Sequence, residues 1–299
     1  MEKLFQAVYS GILYGSIYGL MAIGLTLIWG ALRMLDMAHG ALYLVGGYLA
    51  WSAINYLKPM GLPPAVGGLV AVAVGVTAAA IAGLLIQVLF INRVVGKPSF
   101  FNSAMIATVG LAIVIDSLAL LIYGPRVKQM PALVSGQFRW LGVVISYQGL
   151  VIIGVAAVAM VLLSIFLSRS RSGLAIQAVS QQMDAALLMG IPAILIFTIV
   201  MALSAALAGL AGSLLSSVFF LAPGAGFNPM VKALVVTIFG GLGSVKGTIW
   251  AAYVIGLLEA FLQVYLGASW ALTGLFLFMI LMLIIRPSGL FGLGEAQRL

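Results

Sequence analysis

No cysteine occurs in the 299 residues, and there is a single histidine. That removes disulfides, thiolate metal sites and haem attachment, and one imidazole cannot assemble a metal centre. No cofactor or metal is expected. Charge is nearly as scarce: charged residues make up 7% of the chain, against about 25% in ordinary soluble domains. Such a chain cannot cover itself with polar surface. Its 14 Lys and Arg outnumber six Asp and Glu, for a net charge of +8. They are scattered singly, whereas a nucleic-acid binder gathers them into a patch, so no nucleic-acid partner is expected. Serine-protease chemistry lacks its signature too. Ser213 lies in a Gly-rich stretch and His39 is available, but neither has a Gly-x-Ser-x-Gly context or an evident orienting group.

What is present is apolar: 64% of the residues are hydrophobic. Residues 4–32, 140–168, 185–231 and 260–285 carry no charged side chain, and each can hold at least one membrane span of ~20 residues. The runs are continuous, without the alternation of a membrane β-barrel. The fold class is therefore an all-α polytopic membrane protein. Apolar stretches with plausible ends fall at about 5–30, 41–57, 65–91, 101–123, 146–167, 192–221, 230–240, 248–266 and 271–285. The seventh is too short to cross. The expectation is about eight transmembrane helices plus a broken or re-entrant helix, in a single transmembrane domain over 1–299, with Gly124 to Ser146 as the largest external loop. Glu2 and Lys3 precede an apolar run too long for a signal-peptide core, so the first span reads as retained.

Between Ser168 and Pro192 the chain turns polar and helix-prone, SRSRSGLAIQAVSQQMDAALLMGIP. A connector needs only a few residues, yet this one has room for about three helical turns, so something outside the membrane is expected to dock on it. Placing it inside puts Arg33, Arg93, Lys97, Arg169, Arg171, Lys246, Arg286 and Arg298 inside, against Lys3, Lys58, Arg126, Lys128, Arg139 and Lys232 outside. The cation excess then gives an outer N-terminus and an inner C-terminus.

Small residues recur every fourth position: Gly11, Gly15 and Gly19 on the first helix, then Ser204, Ala208, Gly212 and Ser216 on the sixth. Such stripes let helices approach closely in lipid, within the subunit or between subunits. Arg33, Asp36 and His39 stand at three-residue spacing between two spans, where Asp36 could pair with either cation to brace the bend or serve gating. Phe239-Gly-Gly-Leu-Gly-Ser-Val-Lys-Gly247 breaks an apolar segment. Freed backbone at such breaks can line a path, or the glycines can simply end a helix; the spacing of a phosphate loop is absent. Thr26-Leu-Ile-Trp-Gly30 and Thr237-Ile-Phe-Gly240 hint at an internal repeat. Asp116, Lys232 and Glu259, with Gln263 one turn beyond, are ionisable or polar positions in or beside spans. They suit interhelical pairing, a proton relay or a solute-amine site. A zwitterion such as an amino acid would suit a path offering both signs.

Several motifs together resemble a known family. Tyr18-Gly-Leu-Met-Ala-Ile-Gly-Leu-Thr-Leu-Ile-Trp-Gly30 followed by Met37-Ala-His-Gly40 is similar to the opening of LivH-type permeases of branched-chain amino acid ABC importers. Leu187-Leu-Met-Gly-Ile191, Ala205-Ala-Leu-Ala-Gly-Leu-Ala-Gly212, Gly240-Gly-Leu-Gly-Ser-Val-Lys-Gly247 and Arg286-Pro-Ser-Gly-Leu-Phe-Gly292 follow in the family's order. The chain departs from the usual form at Ser180 to Met183, where an acidic pair is common, and at Asp36-Met37, where Asn-Phe is usual.

The resemblance implies a permease subunit without enzymatic activity in the bacterial inner membrane. Its partners would be a homologous sister permease, two cytoplasmic ATP-binding subunits and a periplasmic solute-binding protein. The segment at about 169–191 becomes the coupling segment, with Ala178, Asp184, Ala185, Leu188 and Gly190 assigned to ATPase coupling. Asp36, His39, Gly241, Ser244 and Glu259 are expected on the path or gate. Gly11, Gly15, Gly19, Ala208 and Gly212 are expected in helix packing. Solutes of such permeases include branched-chain amino acids, urea, short amides and aromatic acids. An ion-coupled secondary transporter using Asp116 and Glu259, or a passive channel, are the alternatives.

Overall fold

The computed structural model describes residues 2–61, 63–97, 99–140, 142–286 and 289–291. Eleven α-helices follow one another as α1 (Glu2–Leu32), α2 (His39–Leu57), α3 (Pro64–Leu89), α4 (Phe100–Tyr123), α5 (Tyr147–Arg169), α6 (Arg171–Gln181), α7 (Met183–Leu188), α8 (Ala193–Leu215), α9 (Phe227–Gly240), α10 (Val245–Tyr265) and α11 (Ala268–Ile285). Among the described residues, seven helices are long and apolar enough to cross a membrane: α1, α3, α4, α5, α8, α10 and α11. The 19-residue α2 is the eighth long helix, and the 14-residue α9 is the short one.

The sequence expectation differs from the structure at three places. The stretch 192–221 ends as a helix at Leu215 and continues as turns. The loop after α4 holds an antiparallel hairpin, β1 (Gln137–Trp140) with β2 (Val143–Ser146), registered Gln137 opposite Ser146. The polar insert is two helices rather than one. α6 breaks at Gln182, whose extended backbone at φ −151° cannot continue a helix.

α1 is the axis of the bundle. Its spanning window is 89% buried, against 11% for the peripheral α4 and α11. Lipid gives no hydrophobic drive for helices to associate, so close backbone approach has to supply dispersion. Gly11 and Gly15 do this against α10: a Cβ on Gly11 would lie 2.7 Å from the Leu257 Cα, and one on Gly15 would lie 2.9 Å from the Ala252 carbonyl oxygen. Gly19 faces Ala252 and Met160, Gly212 lies against the Tyr43 carbonyl of α2, and Ala208 is wholly buried in the core. Both small-residue stripes are thus occupied inside the subunit.

Two helices begin deep in the bundle. His39, first in α2, reaches the Met21 carbonyl with Nε2 at 3.1 Å, although α1 runs on to Leu32. Eleven residues of helix are ~16 Å, so the segment 33–38 climbs back to near mid-bundle before α2 starts. The carbonyl of Gly226, just before α9, lies against Gly40. The two helix starts therefore meet.

The hairpin end is pinned by one side chain. Gln148 Oε1 accepts from the amides of Leu133 at 2.8 Å and Val134 at 3.3 Å, while Nε2 donates to Ser217 Oγ at 2.6 Å. Gln148→Leu removes the acceptor of these two partly exposed amides and the donor to the buried Ser217 hydroxyl, at about 1 kcal/mol for each hydrogen bond lost. We expect limited proteolysis to cut between residues 124 and 146 faster in this variant, with the bundle intact.

Candidate translocation site and coupling face

A polar cluster sits among the apolar helices α1, α9 and α10. Lys232 Nζ donates to Glu259 Oε1 at 2.6 Å and to the Tyr18 hydroxyl at 3.0 Å. Gln263 Nε2 donates to the same Glu259 oxygen at 2.9 Å, and the Tyr14 hydroxyl donates to Gln263 Oε1 at 3.2 Å. Helical periodicity brings Tyr14 under Tyr18 and Glu259 under Gln263, because residues four apart share a face. Antiparallel packing of α1 on α10 then sets the two pairs opposite one another. Glu259 is buried and its Oε2 has no partner, whereas the Lys232 side chain is 20% exposed. Phe219, half-exposed, stands 6.3 Å from the Tyr14 ring at the rim.

Asp36 and His39 lie elsewhere, enclosed between α1, α2 and α8. Asp36 Oδ1 accepts the Ala38 amide at 2.9 Å and so closes an Asx turn just ahead of the deep start of α2. His39 donates from Nε2 to Met21, which leaves Nδ1 as acceptor toward Ser204 Oγ at 3.5 Å, and Asp36 Oδ2 stands 3.9 Å from that nitrogen. Both side chains are wholly buried. They brace the re-entry, and neither reaches the Lys232 cluster. Ser213 donates to the Gly46 and Gly209 carbonyls, apart from His39.

The glycine break forms the turn from α9 into α10. Gly241 at φ +97° and Gly243 at φ +89° occupy a region that a side chain disfavours. Ser244 caps α10 by accepting the Gly247 amide at 3.2 Å. The turn lies at the end of α1, with Gly243 facing Gly30, and the Leu290 amide donates to the Phe239 carbonyl at 2.8 Å across it. Thr26 and Thr248 share a hydrogen bond at 2.8 Å, and Thr237 donates to the Ala22 carbonyl at 3.1 Å. The two Thr-to-Gly segments therefore pack on the same stretch of the bundle. Of the motif Arg286 to Gly292, residues 287, 288 and 292 lie outside the described residues, as does Arg298.

At this same end the insert presents a bare apolar surface. Leu188 is 89% and Met189 83% exposed, with Met183 and Leu187 exposed on the same short helix and Leu174 exposed on α6. Asp184, Ala185 and Gly190 are exposed beside them, while Ala178 is partly buried against the core. Gly190 ends α7 at φ +79°. A cavity of about 440 Å³ opens beneath, lined by Val179 and Met183 of the insert with Arg33, Lys97, Phe100 and Phe197. Arg33 is the one non-glycine residue with positive φ among those described, at +54°, and its guanidinium donates to the Ser180 carbonyl at 2.8 Å. That contact ties the end of α1 to α6.

The family model described as the permease component of branched-chain amino acid transport systems matches residues 7–285. The chain belongs to this permease family. The high-affinity branched-chain amino acid transport system permease protein BraD of Pseudomonas aeruginosa is 32% identical over 305 residues, covering 98% of this chain and 97% of its own length. The LivH permease protein of the corresponding Escherichia coli K12 system is 29% identical over 306 residues, with the same coverage. A probable LivH permease from Methanocaldococcus jannaschii is 26% identical over 294 residues, covering 94% and 90%. The protein is thus a multi-pass membrane permease subunit, a transporter component rather than an enzyme.

In this permease the structure brings Glu259 together with Lys232, Tyr14, Tyr18 and Gln263, and separates it from Asp36 and His39. Lys232 does not belong with the outer cations. Its helix carries it into the bundle, where it meets the carboxylate it needs. The tyrosines escaped the sequence reading because their hydroxyls have partners only across helices; their four-residue spacing was the available signal.

Proposed function

We propose that this permease is the translocating subunit of an ATP-driven importer in the bacterial inner membrane that takes up branched-chain amino acids. It works with a homologous sister permease, two cytoplasmic ATP-binding subunits and a periplasmic solute-binding protein. The observation that carries the reading is the apolar surface at Leu187, Leu188 and Met189. Soluble surfaces rarely leave such residues contiguous unless a partner covers them, and they lie on the largest helical insert, at the end opposite the hairpin. The named relatives supply the solute class.

ATP binding and hydrolysis in the partners move the insert, with Asp184, Ala185, Leu188 and Gly190 at the docking face and Ala178 at its joint with the bundle. The Arg33 contact to Ser180 passes the displacement to α1, which carries Tyr14 and Tyr18 and adjoins the Gly241 to Ser244 turn. Because a ligand shifts an equilibrium only through differential affinity, ATP and loaded binding protein must favour different states of this assembly. Asp36 and His39 hold the deep end of α2 at the gate, and Glu259 faces the path.

The test combines Ala185→Arg with Gly190→Trp in the reconstituted complex. Two disrupted contacts at the centre of an interface, each worth on the order of 1 kcal/mol or more, weaken docking by about tenfold or more. ATP hydrolysis stimulated by loaded binding protein is expected to fall to the unstimulated level. Unchanged stimulation would show that the insert is not the docking face.

A further inference from the structure

Lys232 and Glu259 are a poor device for stability alone. A buried ion pair recovers the cost of desolvation only when its remaining valences are also satisfied, and here Glu259 Oε2 is left without a partner. Lys232 is 20% exposed and Glu259 1%, so the pair is reached from the lysine side; Gln263 and Tyr14 continue the cluster beyond Glu259, and Phe219 stands 6.3 Å from the Tyr14 ring. Two hydroxyls and an amide surround the charges, and an aromatic face adjoins them. The pair also ties together α9 and α10, whose connecting turn lies at the coupling end.

In such a setting neither charge can leave its partner unless it meets another. A cation would satisfy Glu259 and strand Lys232; an anion would do the reverse. Urea or a short amide brings no formal charge and leaves the pair closed. A zwitterion supplies both charges at once. Four charges then pair two by two, and none is left bare in low dielectric.

We propose that Lys232 and Glu259 form a partner-exchange site for an α-amino-acid zwitterion, the solute ammonium taking the buried, unpartnered Oε2 of Glu259 as the helices part and its carboxylate taking Lys232 and Tyr18. The solute's apolar side chain lies toward Phe219 and Tyr14. Occupancy parts α9 from α10 and so signals the passing solute to the turn at Gly241. This rests on the importer reading above, and it selects zwitterions over uncharged and anionic solutes.

The experiment uses the complete complex in proteoliposomes, with radiolabelled leucine delivered by its binding protein. The unaltered complex is run alongside the double variant Lys232→Met with Glu259→Gln. Removing both charges leaves no buried charge unpaired, so the double variant is expected to assemble at native stoichiometry, read by size-exclusion chromatography. Its leucine uptake is expected to drop by about tenfold or more, the equivalent of at least one lost charged hydrogen bond. Uptake equal to the unaltered complex would reduce the pair to a structural tie and overturn the proposal. Absence of ATP-dependent uptake in the unaltered complex would instead overturn the importer reading.

A second measurement does not depend on removing the pair. Because the chain has no cysteine, Phe219→Cys introduces the chain's single thiol at the rim. Its alkylation is expected to slow when leucine and binding protein are added under turnover. A rate indifferent to leucine would also overturn the proposal.

Discussion

Lys232→Met alone is expected to destabilise the permease by about 3–5 kcal/mol, the cost of leaving a buried carboxylate without its cation. Glu259 is 1% exposed and takes its short contact from Nζ at 2.6 Å. In the variant only Gln263 remains hydrogen-bonded to it. Adding Glu259→Gln to the same chain is expected to restore most of the loss, because a neutral amide no longer demands a counter-charge. Thermal unfolding of the detergent-solubilised protein measures both. A single variant as stable as the double one would mean that water already reaches Glu259. The stability cycle is independent of the uptake comparison, since a pair can matter to folding without touching solute.

The second large effect belongs to a junction without charges. Gly46 of α2, Gly75 of α3 and Gly209 of α8 meet at one crossing. A Cβ on Gly46 would run into the Gly209 backbone, one on Gly75 into Ser213 Oγ and the Gly46 carbonyl, and one on Gly209 into Ala79 Cβ. The first obstacle is main chain, which cannot swing aside as a side chain does. Gly46→Leu must force two helices apart, and overpacking of this kind costs roughly 3 kcal/mol or more. We expect no monodisperse protein from Gly46→Leu. Gly154→Ala, on the outer side of α5 with nothing within 4 Å of the added carbon, is expected to behave as the native chain. Equal yields from both would show that α2 and α8 can separate without loss of the fold.

These two sites were not equally legible beforehand. The glycines of the first stripe announce themselves by four-residue spacing, and Gly11 and Gly15 do lie in close contact with α10. Gly46 carries no such regular signal, whereas Gly75 stands in the middle of a further four-residue stripe, Gly67, Ala71, Gly75, Ala79 and Gly83, all buried on α3. Glu259 stands out as a carboxylate inside an apolar run, and Lys232 as a cation beside a short one. Their pairing joins residues 27 apart, and the Tyr18 contact joins residues 214 apart. No local pattern encodes that. The hairpin at 137–146 was hidden for a related reason. In four-residue strands, alternation is too short to distinguish from chance, and pairing fixes it only once α1 and α5 hold β2 in place.

By itself the sequence determined that this chain spans a membrane many times as helices, where most of the spans lie, and that a polar helical insert projects between the fifth and sixth of them. Those properties follow from runs of neighbouring residues: charge-free stretches of span length admit only a helix in lipid, because every backbone amide must be satisfied within the segment. Its motif order also pointed to the permease family. The tertiary structure alone decided that α2 and α9 start deep in the bundle, that the small-residue stripes are occupied within the subunit, and that Lys232, Glu259, Tyr14, Tyr18 and Gln263 converge while Asp36 and His39 are enclosed elsewhere. Each of those depends on which helices become neighbours and at what depth. Packing settles this by backbone approach and charge pairing across the bundle, between residues that the sequence keeps far apart.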